Sequence, residues 1–162
     1  MKPDEIGRVC ELVVSLQTYQ KMKIVPRLPT REDLSELVQG REKPEGSIDV
    51  SRGTFVVVAI DKENPNQKDS AYIVGYQIYT QAFSITHGRH MYVNSFFIEE
   101  GYRRHGLGRK FMEFMQGHAR STGNTFVDIP VMNDNVPGHK FYKGYNAQSV
   151  DDEYDIMYVN VN

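Results

Sequence analysis

The sequence lacks the features that mark secreted, membrane and nucleic-acid-binding proteins. Its single cysteine, Cys10, cannot form an internal disulfide, and it falls on the apolar side of a predicted helix as core filling. No hydrophobic run approaches membrane-spanning length, and the start has no signal-peptide pattern. The formal net charge of −2 excludes the basic excess that general nucleic-acid binding requires. We therefore expect a cytoplasmic protein with no nucleic-acid or membrane partner.

Internal repeats, low-complexity segments and linker-like tracts are also missing. With 162 residues and 40% hydrophobic content, the chain is large enough to bury a sizeable core and too short to favour several domains. We expect a single domain over residues 1–162.

Hydrophobic periodicity predicts an α+β order of elements. Helices are expected over residues 4–20, 31–39, 106–121 and 137–143. Strands are expected over residues 54–60, 71–80, 90–98 and 125–131, with a closing hairpin from 147–150 and 154–161. Thr30 and Asp33 resemble a capping box at the start of the second helix. Pro130 fits the fourth strand only at an edge, a bulge or a point where neighbouring strands part.

A basic, glycine-bearing turn joins the third strand to the third helix. Arg103, Arg104, Arg109 and Lys110 crowd the positive end of a helix dipole, where cations are disfavoured. Gly106 and Gly108 carry no β-carbon, so the backbone N–H groups of the turn can approach a ligand closely. The turn therefore predicts a site for a phosphate-bearing ligand, although an ordinary structural turn also uses glycine in this way.

The order Arg103-Arg104-His105-Gly106-Leu107-Gly108 resembles the pyrophosphate-binding turn of the GNAT acyltransferases, which hold acetyl-CoA. Its place between a strand and an amphipathic helix is the setting that such a motif needs. The resemblance implies an α/β (α+β) GNAT fold, with a central mixed twisted sheet flanked by helices. The family's usual first strand is expected to be missing or shortened, because only three residues precede the first helix.

Within the family the chain is most similar to the spermidine/spermine and thialysine N-acetyltransferase branch. The likeness runs through Ile73–Tyr76, Phe96–Ile98, the basic turn, and Asn135 with Phe141–Lys143. It implies a cofactor site formed by Phe96, Phe97, Ile98, Arg103, Arg104, His105, Gly106, Leu107, Gly108, Arg109, Asn135 and Tyr142. From the residues alone, Phe96–Ile98 also fit apolar core, and Asn135 fits a helix N-cap.

The resemblance also implies how catalysis would work. A neutral amine attacks the acetyl thioester, and Tyr142 protonates the leaving thiolate. Where the polyamine branch has two adjacent acids, this chain has the neutral Asn94 and Ser95, which cannot act as a base. Asp128 and His90 could supply a base through water, or could be structural. Glu153 approximates another substrate-binding acid, and fits a solvated hairpin turn equally well.

The expected function is therefore acetyl-CoA-dependent N-acetylation of a primary amine of a small molecule, either a diamine or polyamine or a thialysine-like amine, by a homodimer. No metal is expected. One alternative is a CoA-binding protein with little or no catalysis, because Asn94 and Ser95 replace the acidic pair. Another is a phosphate-anion site for a different nucleotide.

Overall fold

The computed structural model describes residues 3–20, 30–38, 53–63, 72–85 and 88–149. The chain divides into two compact units, Met1–Pro130 and Val131–Asn162, and each is described by itself. The order of elements in the first unit is α1 (Pro3–Gln20), α2 (Arg31–Val38), β1 (Thr54–Ile60), β2 (Ile73–Ser84), β3 (Gly88–Ile98), a short 3-10 helix (Glu100–Tyr102), α3 (Leu107–Ser121) and β4 (Phe126–Asp128). The second unit contains α4 (Val136–Lys143).

The four strands form one mixed sheet in the order β1-β2-β3-β4. The first three are antiparallel neighbours in chain order, and β4 lies parallel to β3. The fourth strand was predicted over 125–131, and that prediction was wrong in extent, because the strand ends at Asp128. Pro130 has no N–H to donate to a ladder, which accounts for the early end.

Helices cover both faces of the sheet in the first unit. Side chains alternate along β2, so Tyr76 and Ile78 join the core cluster under α1, which includes Val9 and Leu12. On the opposite face, the Tyr79 hydroxyl lies 2.9 Å from Nδ1 of His118 in α3. The buried residues of α3 are Phe111, Met112, Met115 and Ala119, as suits an amphipathic helix.

Local signals set the helix starts. The predicted capping box of α2 is confirmed, because the Asp33 amide donates to Thr30 Oγ1 at 3.2 Å and the Thr30 amide donates to Asp33 Oδ2 at 2.6 Å. Cys10 is partly buried against the core, as expected of core filling.

Some predictions fall on residues outside the described ranges. These include nearly all of the closing hairpin, from residue 150 onward. Residues 147–149, where the hairpin was predicted to begin, are described and form no strand. Residues 1 and 2 are also outside the described ranges, so the missing or shortened first strand stays a prediction.

Candidate active site

Strand β3 carries a bulge in the middle of its pairing with β2. Ile78 pairs with Ser95, but the next residue of β2, Tyr79, pairs with Val93, so Asn94 is an extra residue. The bulge directs both Asn94 and Ser95 to the face that α1 covers. There Ser95 Oγ lies 2.7 Å from the Tyr76 hydroxyl, and Thr80 Oγ1 donates to Asn94 Oδ1 at 2.7 Å.

The strands β3 and β4 part soon after they meet. Their parallel pairing covers only residues 90–92 of β3 and 126–128 of β4. Among the described residues, the stretch of β3 from 93 to 98 therefore has a strand partner on one side only. This open edge contains Phe96, Phe97 and Ile98, and the Ile98 carbonyl accepts a 2.8 Å bond from Arg103 Nε.

The basic turn ends in a helix start that no side chain caps. Gly106 is the N-cap in the left-handed conformation, with φ of 82°, and its lack of a side chain leaves the first turn without a cap acceptor. The first helical bond runs from the Lys110 amide to the Gly106 carbonyl at 3.1 Å, so the preceding amides of Leu107, Gly108 and Arg109 point outward. The first turn contains no acidic residue. Such a helix start attracts an anion.

Backbone strain coincides with the same turn. Arg104 has φ of 64°, which is uncommon for a residue with a β-carbon and costs on the order of 1 kcal/mol. Arg104, His105, Arg109 and Lys110 are all exposed. Arg109 makes a 3.5 Å contact with Glu113, which is too exposed to neutralise it strongly. The turn thus presents outward amides and accessible cations together.

Arg103 is oriented differently from the other cations. Its guanidinium lies 4.8 Å from the centre of the Tyr19 ring and 5.4 Å from that of Phe97. It lines a cleft of about 490 Å³ between the C-terminal half of α1 and the end of β3. The residues that line this cleft include Ser15, Thr18, Tyr19, Phe97, Glu100 and Arg103.

His90 and Asp128, each named from the sequence as a candidate base, lie together where β3 and β4 part. The His90 side chain is buried, with Nε2 3.2 Å from Asp128 Oδ2 and Nδ1 3.1 Å from the Gly88 carbonyl oxygen. Both partners are acceptors, so each ring nitrogen can bond its partner only as a donor. Asp128 is the strand partner of Tyr92, and Tyr92 is in turn the strand partner of Thr80 on β2. The side chain of Thr80 donates to Asn94. The carboxylate therefore lies on the same face as Asn94 and Ser95.

The second unit contains the two remaining described candidates. Asn135 is the N-cap of α4, and its Oδ1 accepts a 3.1 Å bond from the Gly138 amide. An added β-carbon at Gly138 would lie 2.6 Å from Asn135 Nδ2, so a larger residue there would displace the capping side chain. The Tyr142 ring packs edge-on against Phe141 at 5.1 Å, and burial raises the pKa of its phenol to about 12. Glu153 lies outside the described residues.

The sequence analysis missed several residues of the site. Thr18 and Tyr19 line the cleft, although no role in the site was predicted for either. Gly75 lies opposite Ile98, and a β-carbon there would come within 2.9 Å of the Phe97 carbonyl oxygen, so it permits close packing of β2 on the open-edged strand. A lone glycine among β-branched and aromatic strand residues was the signal for it.

The described residues contain neither a metal-binding cluster nor a membrane-spanning helix. No group of three or more histidine, cysteine, aspartate or glutamate side chains in the described part of the chain could hold a metal ion. No helix within these residues is both long and apolar enough to cross a bilayer.

A bulged strand that parts from its parallel neighbour and leads into an uncapped basic helix start defines the class of GNAT-fold acyltransferases. The family model described as Acetyltransferase (GNAT) family matches residues 21–146, and the chain belongs to this family. It is thus an N-acetyltransferase by family, and acetyl-CoA is the acetyl donor that GNAT acetyltransferases use.

Relatives agree with this assignment. Thialysine N-epsilon-acetyltransferase of Bos taurus is 23% identical over 151 residues, which cover 92% of this chain and 82% of the bovine protein. A crystal structure of a probable acetyltransferase superposes with a TM-score of 0.70 at 16% identity, over 97% of this chain and 93% of the other. The crystal structure of ribosomal-protein-alanine N-acetyltransferase from Brucella melitensis biovar Abortus 2308 superposes with a TM-score of 0.66 at 14% identity. The superposition covers 99% of this chain and 95% of the other. At these identities the structures show the fold alone.

Proposed function

We propose that this chain transfers an acetyl group from acetyl-CoA to a primary amine of a small molecule, a diamine, polyamine or thialysine-like amine, by direct attack on the thioester. The observation that carries the proposal is the outward amides of Leu107, Gly108 and Arg109, next to the open edge of the bulged β3. The outward amides favour a bound anion, and the open edge of β3 offers main-chain donors and acceptors.

The residues fit an extended, phosphate-bearing cofactor. The amides from Leu107 to Arg109, with Arg104, His105 and Gly106, would hold the diphosphate, and Arg103 opens the turn in the family motif. The main chain of Phe96, Phe97 and Ile98 would hold the pantetheine arm and the acetyl carbonyl, as the resemblance implies. When bound, acetyl-CoA supplies an acetyl thioester that is reactive towards amines. Main-chain donors at the carbonyl would stabilise charge that develops on its oxygen.

The acceptor would approach from the face that α1 covers, where the cleft meets Phe97. Asn94 and Ser95 offer polar but uncharged contacts there. We assign the base to Asp128, which lies on this face and would take the proton of the substrate ammonium through a water molecule. His90, buried behind it, would position the carboxylate by donating to Oδ2.

Tyr142 would donate its phenolic proton to the departing sulfur. Its pKa of about 12 keeps the phenol protonated throughout the neutral range, so the proton is always available. The contact of Tyr142 with the cofactor, and the contact of Asn135, are taken from the resemblance. Glu153 is retained as a further substrate-binding acid on the same ground.

We also propose that the whole chain is one GNAT domain, that it forms a homodimer and that it is cytoplasmic. The first follows from chain length and from a family match that extends across both units. The second follows from the resemblance alone. The third follows from the sequence features described above. Sedimentation of the purified protein would test the dimer, because a monomer at micromolar concentration would contradict it.

A specific observation favours a second candidate function, a CoA-binding protein with little catalysis. Asn94 and Ser95 replace the acids of the polyamine branch, and both already bond neighbours, Thr80 and Tyr76. The double variant Asn94→Glu with Ser95→Asp restores the acids. If only the restored variant acetylates amines, the second candidate is correct; equal rates in both proteins eliminate it.

The experiment that tests the proposed function is a thiol-release assay with acetyl-CoA and a panel of diamines, polyamines and amino-acid amines. Turnover with at least one amine, at a rate that depends on Asp128 and Tyr142, is expected. Saturable CoA binding without turnover on any amine would contradict the enzyme proposal. Protection by ATP in place of CoA in a thermal-shift titration would indicate a site for a different nucleotide.

A further inference from the structure

Arg103 is held in the cleft by three contacts, one hydrogen bond and two aromatic rings. Nε donates to the Ile98 carbonyl, and the planar group lies over the rings of Tyr19 and Phe97. Its two Nη groups have no hydrogen-bond partner among the residues that the structure describes. An arginine fork fixed in this way, with its outer donors available, matches the geometry of a carboxylate.

The other charges of the cleft leave Arg103 able to bind an anion. Glu99 also lines the cleft, but its Oε1 accepts a 2.6 Å bond from Arg8 Nη2, so its charge is paired. Glu100 lies exposed on the 3-10 helix and has no partner in the described part of the chain. Among the described residues that line it, the cleft therefore presents one accessible positive group and one accessible negative group. A long polyamine, which carries only positive charge, would meet the guanidinium unfavourably.

We propose that the cleft between α1 and the end of β3 takes an acceptor that carries a carboxylate as well as the reactive amine, and that Arg103 binds this carboxylate. The inference rests on the proposed function, because it specifies the acceptor of that reaction. Phe97 links the two sites: its ring faces Arg103 in the cleft, and its main chain lies on the open edge assigned to the thioester. A substrate anchored at Arg103 is thus directed along β3 towards the bulge.

Motif position alone would have assigned Arg103 to the diphosphate instead. That role would require the side chain to leave Tyr19, Phe97 and the Ile98 carbonyl together. Arg104, Arg109 and Lys110 already surround the uncapped helix start and are exposed. The cofactor turn therefore retains its cations without Arg103, whereas Arg103 is the one cation among the described residues that line the cleft.

The test compares pairs of amines that differ only by a carboxylate, ornithine with putrescine and lysine with cadaverine, in the thiol-release assay. The wild type is expected to favour the carboxylate-bearing member of a pair by at least about tenfold in kcat/KM, as a charge-assisted bidentate contact would give. Arg103→Met keeps the apolar stem and should bring the ratio close to one. Arg103→Lys keeps the charge but loses the fork, and should lie between the two. The KM for acetyl-CoA should change less than about threefold.

Arg120→Met is the matched control, because Arg120 is exposed in the last turn of α3, and it should leave the ratio unchanged. A wild-type ratio near one, or an Arg103→Met variant with a raised KM for acetyl-CoA and an unchanged ratio, would overturn the inference. Should Arg103→Met not fold, Arg103→Lys decides the question by the same two readouts. A wild type that acetylates no amine refutes the proposed function itself, which is a distinguishable result.

Discussion

His90 Nε2 lies 3.2 Å from Asp128 Oδ2, across the short parallel pairing of β3 and β4 that begins at His90 and ends at Asp128. The imidazole is buried and fixed from behind by the Gly88 carbonyl, while the carboxylate is about two-fifths exposed, at 41%. This arrangement holds a carboxylate in a defined orientation on the face where the acceptor is proposed to bind. It places an acid on the same face of the sheet as Asn94 and Ser95, the positions at which the polyamine branch has its own pair of acids.

Asp128→Asn should therefore lower kcat/KM for the amine on the order of a hundredfold, because the amide cannot accept the ammonium proton. The affinity for CoA should be unchanged. Steady-state kinetics of thiol release with the best amine measure the effect. Asp134→Asn, an exposed carboxylate in a turn of the second unit, is the control and should behave as wild type. Full activity of Asp128→Asn would remove Asp128 from the mechanism.

A pair of glycine substitutions in α3 separates the cofactor site from helix stability. Gly106→Ala should cost about 1–2 kcal/mol, because φ of 82° is unfavourable for a residue with a β-carbon, and should weaken CoA binding. Gly117→Ala, inside the same helix with open space around the new methyl group, should stabilise the protein by up to about 1 kcal/mol. Urea denaturation and CoA titration measure both. Unimpaired CoA binding by Gly106→Ala would argue against the turn as the diphosphate site.

Tyr142→Phe should lower kcat by about 10²-fold or more, with little change in the KM of the amine, because only the proton donor is lost. Burial raises the pKa of Tyr142 to about 12, so the wild-type kcat should show no descending limb from this group below pH 10. A pH profile of kcat from 6 to 10 provides the measurement. An unchanged kcat in Tyr142→Phe across this range would contradict the assignment of Tyr142 as the proton donor.

Buried tyrosines should make stability sensitive to alkaline pH. Burial raises the pKa of Tyr79 to about 12, against about 10 in the unfolded chain, so its contribution is complete below pH 10 and is lost as the pH rises towards 12. The free energy of unfolding should fall between pH 8 and pH 11, and should fall less in Tyr79→Phe. Urea denaturation at both pH values gives the comparison. An equal fall in the two proteins would show that Tyr79 is not the titrating group.

Elements with strong local signals were predictable from the sequence. The β-branched run of β1 was predicted over 54–60 and is observed as Thr54–Ile60, and α3 begins one residue after its predicted start. Strand β2 extends to Ser84, beyond the predicted end at Thr80, because pairing with β3 continues to Gly88. That extension depends on a partner strand rather than on local preference.

The candidate site, like the fold, was predictable from the sequence only in part. The cofactor turn was predictable, because its glycines and cations are adjacent in sequence. The cleft was not, because it depends on Tyr19 meeting Arg103 from a distant part of the chain. His90 and Asp128 were each identified singly, but their contact follows from the parallel register of β3 and β4, which no local pattern encodes.

Calorimetric titration of the purified protein with CoA tests the central claim most directly. We expect saturable binding of CoA well below millimolar concentration, no displacement of CoA by ATP, and a marked loss of CoA affinity in Gly106→Ala. Protein that is folded but shows no heat of binding at millimolar CoA would contradict the claim that the amides of Leu107 to Arg109, with Arg104, hold this cofactor.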